Sequence, residues 1–331
     1  EPLYWAKTGD WFAVDAGLEA EAFVDGTPKG GKPVRFVAGP GGGFVAKSGL
    51  GKEKAIAFEV AVNCCHGGPG EDGTLQGAFD LAGIAYTGPT VAGAALGMDK
   101  FAFGAVVAGA GMPSLPKAVL APGVTPSFPG PYLVKPRFGG SSIGIQTVAD
   151  VETAVALLNS SVHLRAGAII EPYRADTVDL NVAIRTYPEV ALSAVEQPVR
   201  SAHGGDILGY ADKYVGGEGM VSAPRELPAN ISAEVEKSIR DMAMQVAALA
   251  GVRGVARLDF LFDGTDLYVN ELNTIPGSLA KYLWVDPPVA FERLLLDMVA
   301  EAKAKPAVHY TAAGADGSAL RSAGTIASKL G

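Results

Sequence analysis

The sequence is poor in cysteine and has no long apolar run, and each absence excludes a class of protein. It contains two cysteines, Cys64 and Cys65, which are adjacent and therefore poorly placed for a disulfide with each other. No framework of disulfide bonds is predicted, as in proteins of a reducing compartment. No apolar segment is long enough to cross a bilayer, and no signal-peptide pattern is visible. We therefore expect a cytoplasmic protein.

Positive charge is also scarce, because 27 Lys and Arg residues stand against 35 Asp and Glu residues, a formal net charge of −8. This balance argues against nucleic acid or an anionic membrane as the main partner, but it leaves a locally basic nucleotide site open. Hydrophobic residues make up 48% of the chain, which is a globular composition. The length of 331 residues is enough for two or three domains.

The segment from Val255 to Leu279 is the most informative stretch that is present. It reads as two short strands joined by a turn at Asp263-Gly264, because residues two apart on a strand share a face. Four polar side chains then converge on one face of the hairpin: Arg257, Asp259, Glu271 and Asn273. Oxygen ligands beside an arginine suit Mg²⁺ that carries phosphate, and a solvated polar sheet face is the alternative.

A second candidate site is the loop after the predicted strand 132–136. Lys135 lies in that strand, and the loop that follows reads RFGGSSIG. Small residues let backbone N–H groups and hydroxyls close over phosphate oxygens, and the lysine adds positive charge. The alternative is an ordinary Gly/Ser hairpin loop.

Further candidates lie at strand ends and in one long loop. The apolar run 55–65 predicts a buried strand, and the motif HGGPGEDG at its carboxyl end holds His66 and Glu71. Glu171 and Asp179 bracket another strand connection, where carboxylates accept from an adenine amine or a ribose hydroxyl, or are merely solvated. A metal site of Cys64, Cys65 and His66 is disfavoured, since neighbouring strand residues point to opposite faces.

Residues 203–227 form a polar, glycine-containing loop that is long enough to act as a lid. Lys213 and Tyr214 would place a cation and a phenol on it, and a solvated surface loop is the alternative. Elsewhere, apolar periodicity predicts helices over 74–83, 91–109, 231–249 and 289–303.

Eight motifs, in this order, resemble the D-alanine–D-alanine ligase family within the ATP-grasp superfamily. They are HGGPGEDG, YTG, MDK, VKPRFGGSSIGI, IIEPY, ADKY, VARLDF and VNELNTIPG, and together they span residues 63–277. The resemblance implies a mixed α/β and α+β chain with a three-domain ATP-grasp fold. Residues 1–95 would form an N-terminal α/β substrate domain, and 96–172 the central domain. Residues 173–304 would carry the lid and the metal hairpin, and 305–331 would be a peripheral tail.

The resemblance also implies roles for the matching residues around ATP. Two Mg²⁺ ions, or Mn²⁺ in their place, would be held by Asp259, Glu271 and Asn273. ATP would be bound by Lys100, Lys135, Ser141, Ser142, Glu171, Asp179 and Lys213.

For the reaction itself, the resemblance implies ATP-dependent carboxylate–amine ligation between an amino acid and an amine acceptor, through an acyl phosphate. The catalytic residues would be Arg257, Gly277, Ser141 and Tyr214. The substrates would contact His66, Glu71, Tyr214, Ser278, Lys281 and Tyr282. The family implies a homodimer and a part in peptidoglycan biosynthesis. Two other hypotheses are a related ligase of secondary metabolism with a different acceptor, and a nucleotide-binding protein that has lost catalysis.

Three features bear on the substrates. The chain begins without the glycine-rich strand and turn that open these ligases, so either those residues are absent or their contact with the first substrate comes from elsewhere. Tyr282 falls where the family has a serine that holds the acceptor's carboxylate, and Lys281 and Trp284 add bulk there. The lid motif keeps a tyrosine at Tyr214, which by resemblance favours an amine over a hydroxy acid as acceptor.

Overall fold

Three β-sheets organise the part of the chain that the computed structural model describes, which is residues 1–47, 51–140, 142–199 and 224–305. The first sheet is an antiparallel meander, and Phe44, Phe79 and Tyr86 lie in the core beneath it. Its strands are β1 (Leu3–Trp5), β2 (Trp11–Ala13), β3 (Lys32–Val37), β4 (Gly43–Lys47) and β5 (Glu53–Ala55).

The predicted strand over 55–65 does not form as one element. Strand β5 ends at Ala55, and further along the run Ala61 makes only an isolated parallel bridge to Tyr86. The prediction assumed a run covered on both faces, but Phe58 is 41% and Val62 45% exposed. The motif HGGPGEDG therefore follows an extended, partly exposed segment, and helix α1 (Thr74–Ala82) begins after it, as predicted.

The predicted helix over 91–109 is two helices, α2 (Val91–Met98) and α3 (Lys100–Gly109). Asp99 separates them with an extended backbone, and its side chain accepts hydrogen bonds at 3.1 Å from the first N–H groups of α3. Asp99 also accepts two hydrogen bonds from Arg137, at 2.8 and 2.6 Å. Because Asp99 makes both sets of contacts, α3 starts at Lys100 and is joined to the loop that contains Arg137.

The central sheet has the strand order β6-β9-β7-β8, with antiparallel neighbours. Helix α4 (Val151–Ser160) packs on it, and Asp150 caps that helix by accepting from the N–H of Thr153 at 2.8 Å. The strands are β6 (Ala118–Val119), β7 (Tyr132–Pro136), β8 (Gln146–Val148) and β9 (Ala168–Pro172).

The third sheet contains the predicted hairpin and has the order β12-β11-β10-β13-β14. Helix α5 (Ala233–Leu249) covers one face through Ile239 and Val246, and Ser232 caps it by accepting from the N–H of Val235 at 3.3 Å. Helix α6 (Phe291–Ala304) packs beside the hairpin exit through Leu294 and Met298. The strands are β10 (Val178–Arg185), β11 (Ala191–Pro198), β12 (Arg225–Glu226), β13 (Val255–Phe262) and β14 (Leu267–Asn273).

Among the described residues, none of the helices has the length and apolar character that crossing a membrane requires.

Candidate active site

The hairpin β13–β14 brings its four predicted polar residues together. Arg257 lies opposite Asn273, and Asp259 lies opposite Glu271. The guanidinium of Arg257 donates two hydrogen bonds to the carboxylate of Asp259, at 2.6 and 2.7 Å, and the amide of Asn273 donates a third at 2.9 Å. Burial alone would lower the pKa of Arg257, but the Asp259 carboxylate outweighs burial and raises it. Arg257 is therefore a permanent buried cation.

A cleft between the central and third sheets gathers most of the predicted nucleotide residues. Lys100 bridges its two sides, because its ammonium lies 3.8 Å from the Glu271 carboxylate and also donates to the carbonyl of Gly139. Ser142 lies in the loop above, in a left-handed conformation with φ of 58°. Seven predicted ATP or metal residues line the cleft: Lys100, Lys135, Ser142, Glu171, Asp179, Asp259 and Glu271.

Glu171 lies at the base of this cleft between two lysines. One of its carboxylate oxygens is 2.5 Å from Nζ of Lys135, and the other is 3.7 Å from Nζ of Lys117. Burial alone would raise the pKa of Glu171, but the two lysines, Lys135 first, outweigh burial and lower it. The carboxylate is therefore ionised although its side chain is only 1% exposed.

The loop HGGPGEDG reaches the exit of the hairpin. Glu71 accepts hydrogen bonds from the N–H groups of Ile275 and Gly67, both at 2.8 Å, and from the hydroxyl of Thr274 at 3.4 Å. The ring of His66 donates from Nδ1 to the carbonyl of Ile275 at 2.7 Å, which fixes a proton on that nitrogen. His66 and Glu71 thus lie where the hairpin exits towards Gly277.

The segment after Gly277 forms a tight turn of left-handed residues. Ser278, Leu279 and Ala280 have φ of 51°, 49° and 49°. Left-handed backbone costs about 1–2 kcal/mol for each residue with a side chain, so surrounding contacts must hold this shape. Leu279 and Ala280 are buried in the core beside α6, which supplies such contacts.

Tyr282 follows that turn and packs into a polar network. Its hydroxyl accepts a hydrogen bond from Arg257 at 3.4 Å, and the guanidinium of Arg225 lies over its ring at 4.3 Å. Arg225 in turn donates to Glu196 at 2.7 Å. Lys281 points elsewhere, with its ammonium 5.1 Å from the ring of Phe291.

Two family models match this chain. The model of the D-ala D-ala ligase C-terminus matches residues 106–300, which is more than half of the sequence, and that of the D-ala D-ala ligase N-terminus matches residues 1–89. The chain belongs to the D-alanine–D-alanine ligase family. The family expected from the motifs is therefore confirmed.

Individual members of the family align over most of their length. The D-alanine--D-alanine ligase of Mycolicibacterium smegmatis is 30% identical over 326 residues, which is 90% of this chain and 84% of that protein. Among solved structures, the D-alanine–D-alanine ligase from Helicobacter pylori superposes with a TM-score of 0.70 at 21% identity, over 93% of this chain and 89% of that one. The VanG D-Ala:D-Ser ligase from Enterococcus faecalis superposes with a TM-score of 0.69 at 23% identity, over 89% and 87%. These superpositions confirm the predicted fold.

Some of the residues that the family resemblance singled out lie outside the described part of the chain. They are Ser141, Lys213 and Tyr214. The predicted lid enters the described part only at residues 224–227, and the predicted tail only at Lys305.

Three residues that contact the site were not predicted from the sequence: Lys117, Glu196 and Arg225. None lies in a motif of the family, and no local pattern marks them. They reach the site through strand register, since Lys117 precedes β6 while Glu196 and Arg225 lie on β11 and β12. Only knowledge of which strands are neighbours would have identified them.

Proposed function

We propose that this protein is an ATP-dependent ligase that joins two molecules of D-alanine. The observation that carries the proposal is the buried hairpin set of Arg257, Asp259, Glu271 and Asn273, facing Lys100 across a cleft in a chain of this family. A nucleotide-binding protein without catalysis would not require all four of these polar side chains.

The donor atoms of the hairpin fit a magnesium ion. Asp259 and Glu271 offer carboxylate oxygens from directly opposed positions, and rotation of the Asn273 amide would turn its oxygen to the same side. No group of three or more His, Cys, Asp or Glu side chains suited to a metal occurs within the described ranges, so phosphate oxygens would complete the shell. Bound Mg²⁺ would neutralise charge on the phosphates of ATP.

The cations of the cleft would position ATP. Lys100 and Lys135 lie on the wall opposite the hairpin and would bind phosphate oxygens, with Ser141, Ser142 and Lys213 closing over them. Glu171 and Asp179 would accept from the adenine amine and the ribose hydroxyls. In this arrangement the carboxylate of the first D-alanine attacks the γ-phosphorus, and ADP leaves as an acyl phosphate forms.

The second step needs donors for a developing oxyanion. The amine of the second D-alanine attacks the acyl carbonyl, and inorganic phosphate leaves. Arg257 and the backbone N–H of Gly277 would stabilise the negative oxygen of the tetrahedral intermediate, with Ser141 and Tyr214 assisting from the loops above. Asp259 holds the Arg257 guanidinium through two hydrogen bonds, so this donor is oriented before substrate arrives.

The first D-alanine would bind near His66 and Glu71, since both contact the residue that precedes Pro276 and Gly277. The acceptor would bind beside Tyr214 and the turn that contains Ser278, Lys281 and Tyr282. Tyr282 supports a second candidate function, in which the acceptor is a different amino acid, because a phenol replaces the small serine hydroxyl of the family.

We further propose that the three sheets mark three domains, 1–95, 96–172 and 173–304, and that the protein acts as a homodimer. Membership of the family supports both. Sedimentation at several concentrations tests the dimer. Limited proteolysis with the cleavage sites mapped by mass spectrometry tests the boundaries, and cleavage is expected in the connections beside them, since residue 95 lies within α2 and residue 172 ends β9.

One assay tests the reaction. Purified protein with ATP and Mg²⁺ should release phosphate only when D-alanine is added, and mass spectrometry should detect the D-alanine dipeptide. L-alanine is the matched negative control. Turnover with D-alanine plus another amine, and none with D-alanine alone, would support the second candidate. ATP binding with no stimulated turnover by any amino acid would favour the non-catalytic hypothesis.

A further inference from the structure

The buried carboxylate of Glu171 has two cationic neighbours, Lys135 and Lys117, and the proposed function assigns a role only to Lys135. Strand β6 pairs with β9 so that Ala118 lies opposite Ile170, and one step further along this ladder Lys117 faces Glu171. On the other side of β9, Leu133 lies opposite Glu171, and Lys135 is two residues further along β7, so it points to the same face as Leu133. The three side chains therefore share one face of the central sheet.

Lys117 is enclosed by the protein. Its side chain is 5% exposed, and its ammonium donates to the carbonyl of Leu115 at 3.3 Å while lying 3.7 Å from Glu171. Helix α3 packs directly on its stem at Gly104, where an added Cβ would lie 3.0 Å from Cδ of the lysine. Because Gly104 has no side chain, the stem of Lys117 fits against α3 at this point.

Lys135 has two tasks that conflict. In the structure its ammonium pairs with Glu171 at 2.5 Å, whereas binding ATP requires it to turn towards a phosphate. A buried carboxylate that loses its cationic partner is strongly destabilised, because the low-dielectric surroundings do not replace the lost charge. A second cation on the other carboxylate oxygen removes this conflict.

We propose that Lys117 is a positioning residue that keeps Glu171 neutralised while Lys135 binds a phosphate of the nucleotide. Lys117 does not itself line the cleft, and it acts through Glu171. The inference rests on the proposed function, since it takes ATP as the occupant of the cleft.

The charges around Lys117 agree with this role. Burial lowers the pKa of Lys117, and the negative charge of Glu171 opposes that effect and favours the ammonium form. Lys135 acts in the other direction, because a second positive charge beside Glu171 disfavours the protonated form of Lys117. When Lys135 turns towards a phosphate, this repulsion weakens and the pairing of Lys117 with Glu171 strengthens.

Nucleotide binding measured by calorimetry, with ATP and Mg²⁺ and without D-alanine, tests the proposal. Lys117→Met keeps the length of the stem over Gly104 and removes the charge, so ATP should bind on the order of tenfold more weakly. In a protein that already carries Glu171→Gln, the same Lys117→Met change should cost much less ATP affinity, because no buried carboxylate then needs a partner. Lys237→Met, at an exposed lysine of α5, is the matched control and should bind ATP like the wild type.

Unchanged ATP affinity in Lys117→Met, or an equal loss of affinity with and without Glu171→Gln, would overturn the proposal. Should Lys117→Met not fold, Gly104→Ala crowds the lysine, which must shift by a few tenths of an ångström, without changing any charge, and should weaken ATP binding in the same direction. Unchanged affinity in a folded Gly104→Ala protein would then overturn it.

The ligase assay on the same wild-type preparation separates this proposal from the proposed function. If the wild type binds ATP but makes no dipeptide, the proposed reaction is wrong, and the role of Lys117 is still decided by the binding data. If the wild type makes dipeptide and Lys117→Met binds ATP equally well, the reaction stands and the role of Lys117 fails.

Discussion

The carboxylate of Glu71 accepts a hydrogen bond at 2.8 Å from the backbone N–H of Ile275, a residue 204 positions further along the chain. The same carboxylate accepts from the N–H of Gly67, so one buried side chain joins the loop HGGPGEDG to the exit of the hairpin β13–β14. The backbone two residues beyond Ile275 is the proposed oxyanion donor Gly277.

Replacing Glu71 should therefore reduce both stability and turnover. Glu71→Ala leaves two backbone N–H groups without their acceptor, which costs about 1–3 kcal/mol for each group that stays buried. Urea unfolding measures the loss, and the ligase assay measures turnover. Glu59→Ala, at an exposed carboxylate that pairs with Lys303, is the control and should lose much less stability, because solvent screens an exposed ion pair. Equal losses in the two variants would contradict the assigned contact.

Glu271→Gln should abolish turnover, because it removes a carboxylate ligand from the proposed metal site while keeping the shape of the side chain. Phosphate release in a single turnover, measured over a range of Mg²⁺ concentrations, checks this. Asp266→Asn makes the same change in the exposed turn of the hairpin and should remain fully active. Retained activity in Glu271→Gln would refute the metal assignment.

Arg257→Lys keeps the positive charge but loses the two-pronged contact with Asp259. We expect kcat to fall on the order of a hundredfold, with a small change in ATP affinity, because losing one oriented oxyanion donor acts on the transition state. Steady-state kinetics separate the two quantities. A rise in the KM for ATP at unchanged kcat would place Arg257 in ground-state binding instead.

Tyr282 should decide which acceptor is used. Tyr282→Phe removes the hydroxyl that accepts from Arg257 and leaves the ring beneath Arg225, whereas Tyr282→Ser restores the residue usual in the family. If the phenol contacts the acceptor, both variants should change the KM for the acceptor while the KM for ATP stays constant. Competition between D-alanine and other amino acids, read out by mass spectrometry, shows whether preference changes. Identical product ratios in all three proteins would place Tyr282 outside the acceptor site.

Asp99 should make stability depend on pH. Burial alone would raise its pKa, but hydrogen bonds from Arg137 and from two N–H groups of α3 outweigh burial and lower it. A lowered pKa in the folded state means that the ionised carboxylate contributes stability above its unfolded pKa, and that this contribution is lost as the pH falls through the folded pKa. Asp99→Asn should be less stable than the wild type by about 1–3 kcal/mol at pH 7, and the difference should shrink in acid. Urea unfolding at several pH values tests both statements.

The sequence was sufficient to predict which residues meet where they lie on one strand or on two strands joined by a short turn. The facing of Arg257, Asp259, Glu271 and Asn273 follows from alternation and one turn, and the structure confirms it. It was insufficient where the paired strands are far apart in the sequence. Lys117 meets Glu171 only because two strands about fifty residues apart lie side by side, and nothing near Lys117 in sequence encodes that.

The errors in secondary structure have a similar origin. An Ala-rich, apolar stretch over 91–109 predicts one helix. Helix propensity alone does not reveal that Asp99 interrupts this helix, where it caps α3 and pairs with Arg137. The apolar run 55–65 predicts a strand, yet a strand needs a partner on at least one side, and beyond β5 only the bridge at Ala61 supplies one. In both cases contacts from elsewhere in the chain override a local preference.

Helix α3 positions two lysines of the proposed ATP site in different ways. Lys100 is its first residue and faces the hairpin, and Gly104, one turn later, lies against the stem of Lys117. A small molecule wedged between α3 and β6 would therefore disturb both cations without entering the cleft. Because such a compound and ATP would weaken each other's binding, raising the ATP concentration would relieve the inhibition, although the compound does not mimic the nucleotide and binds outside the cleft.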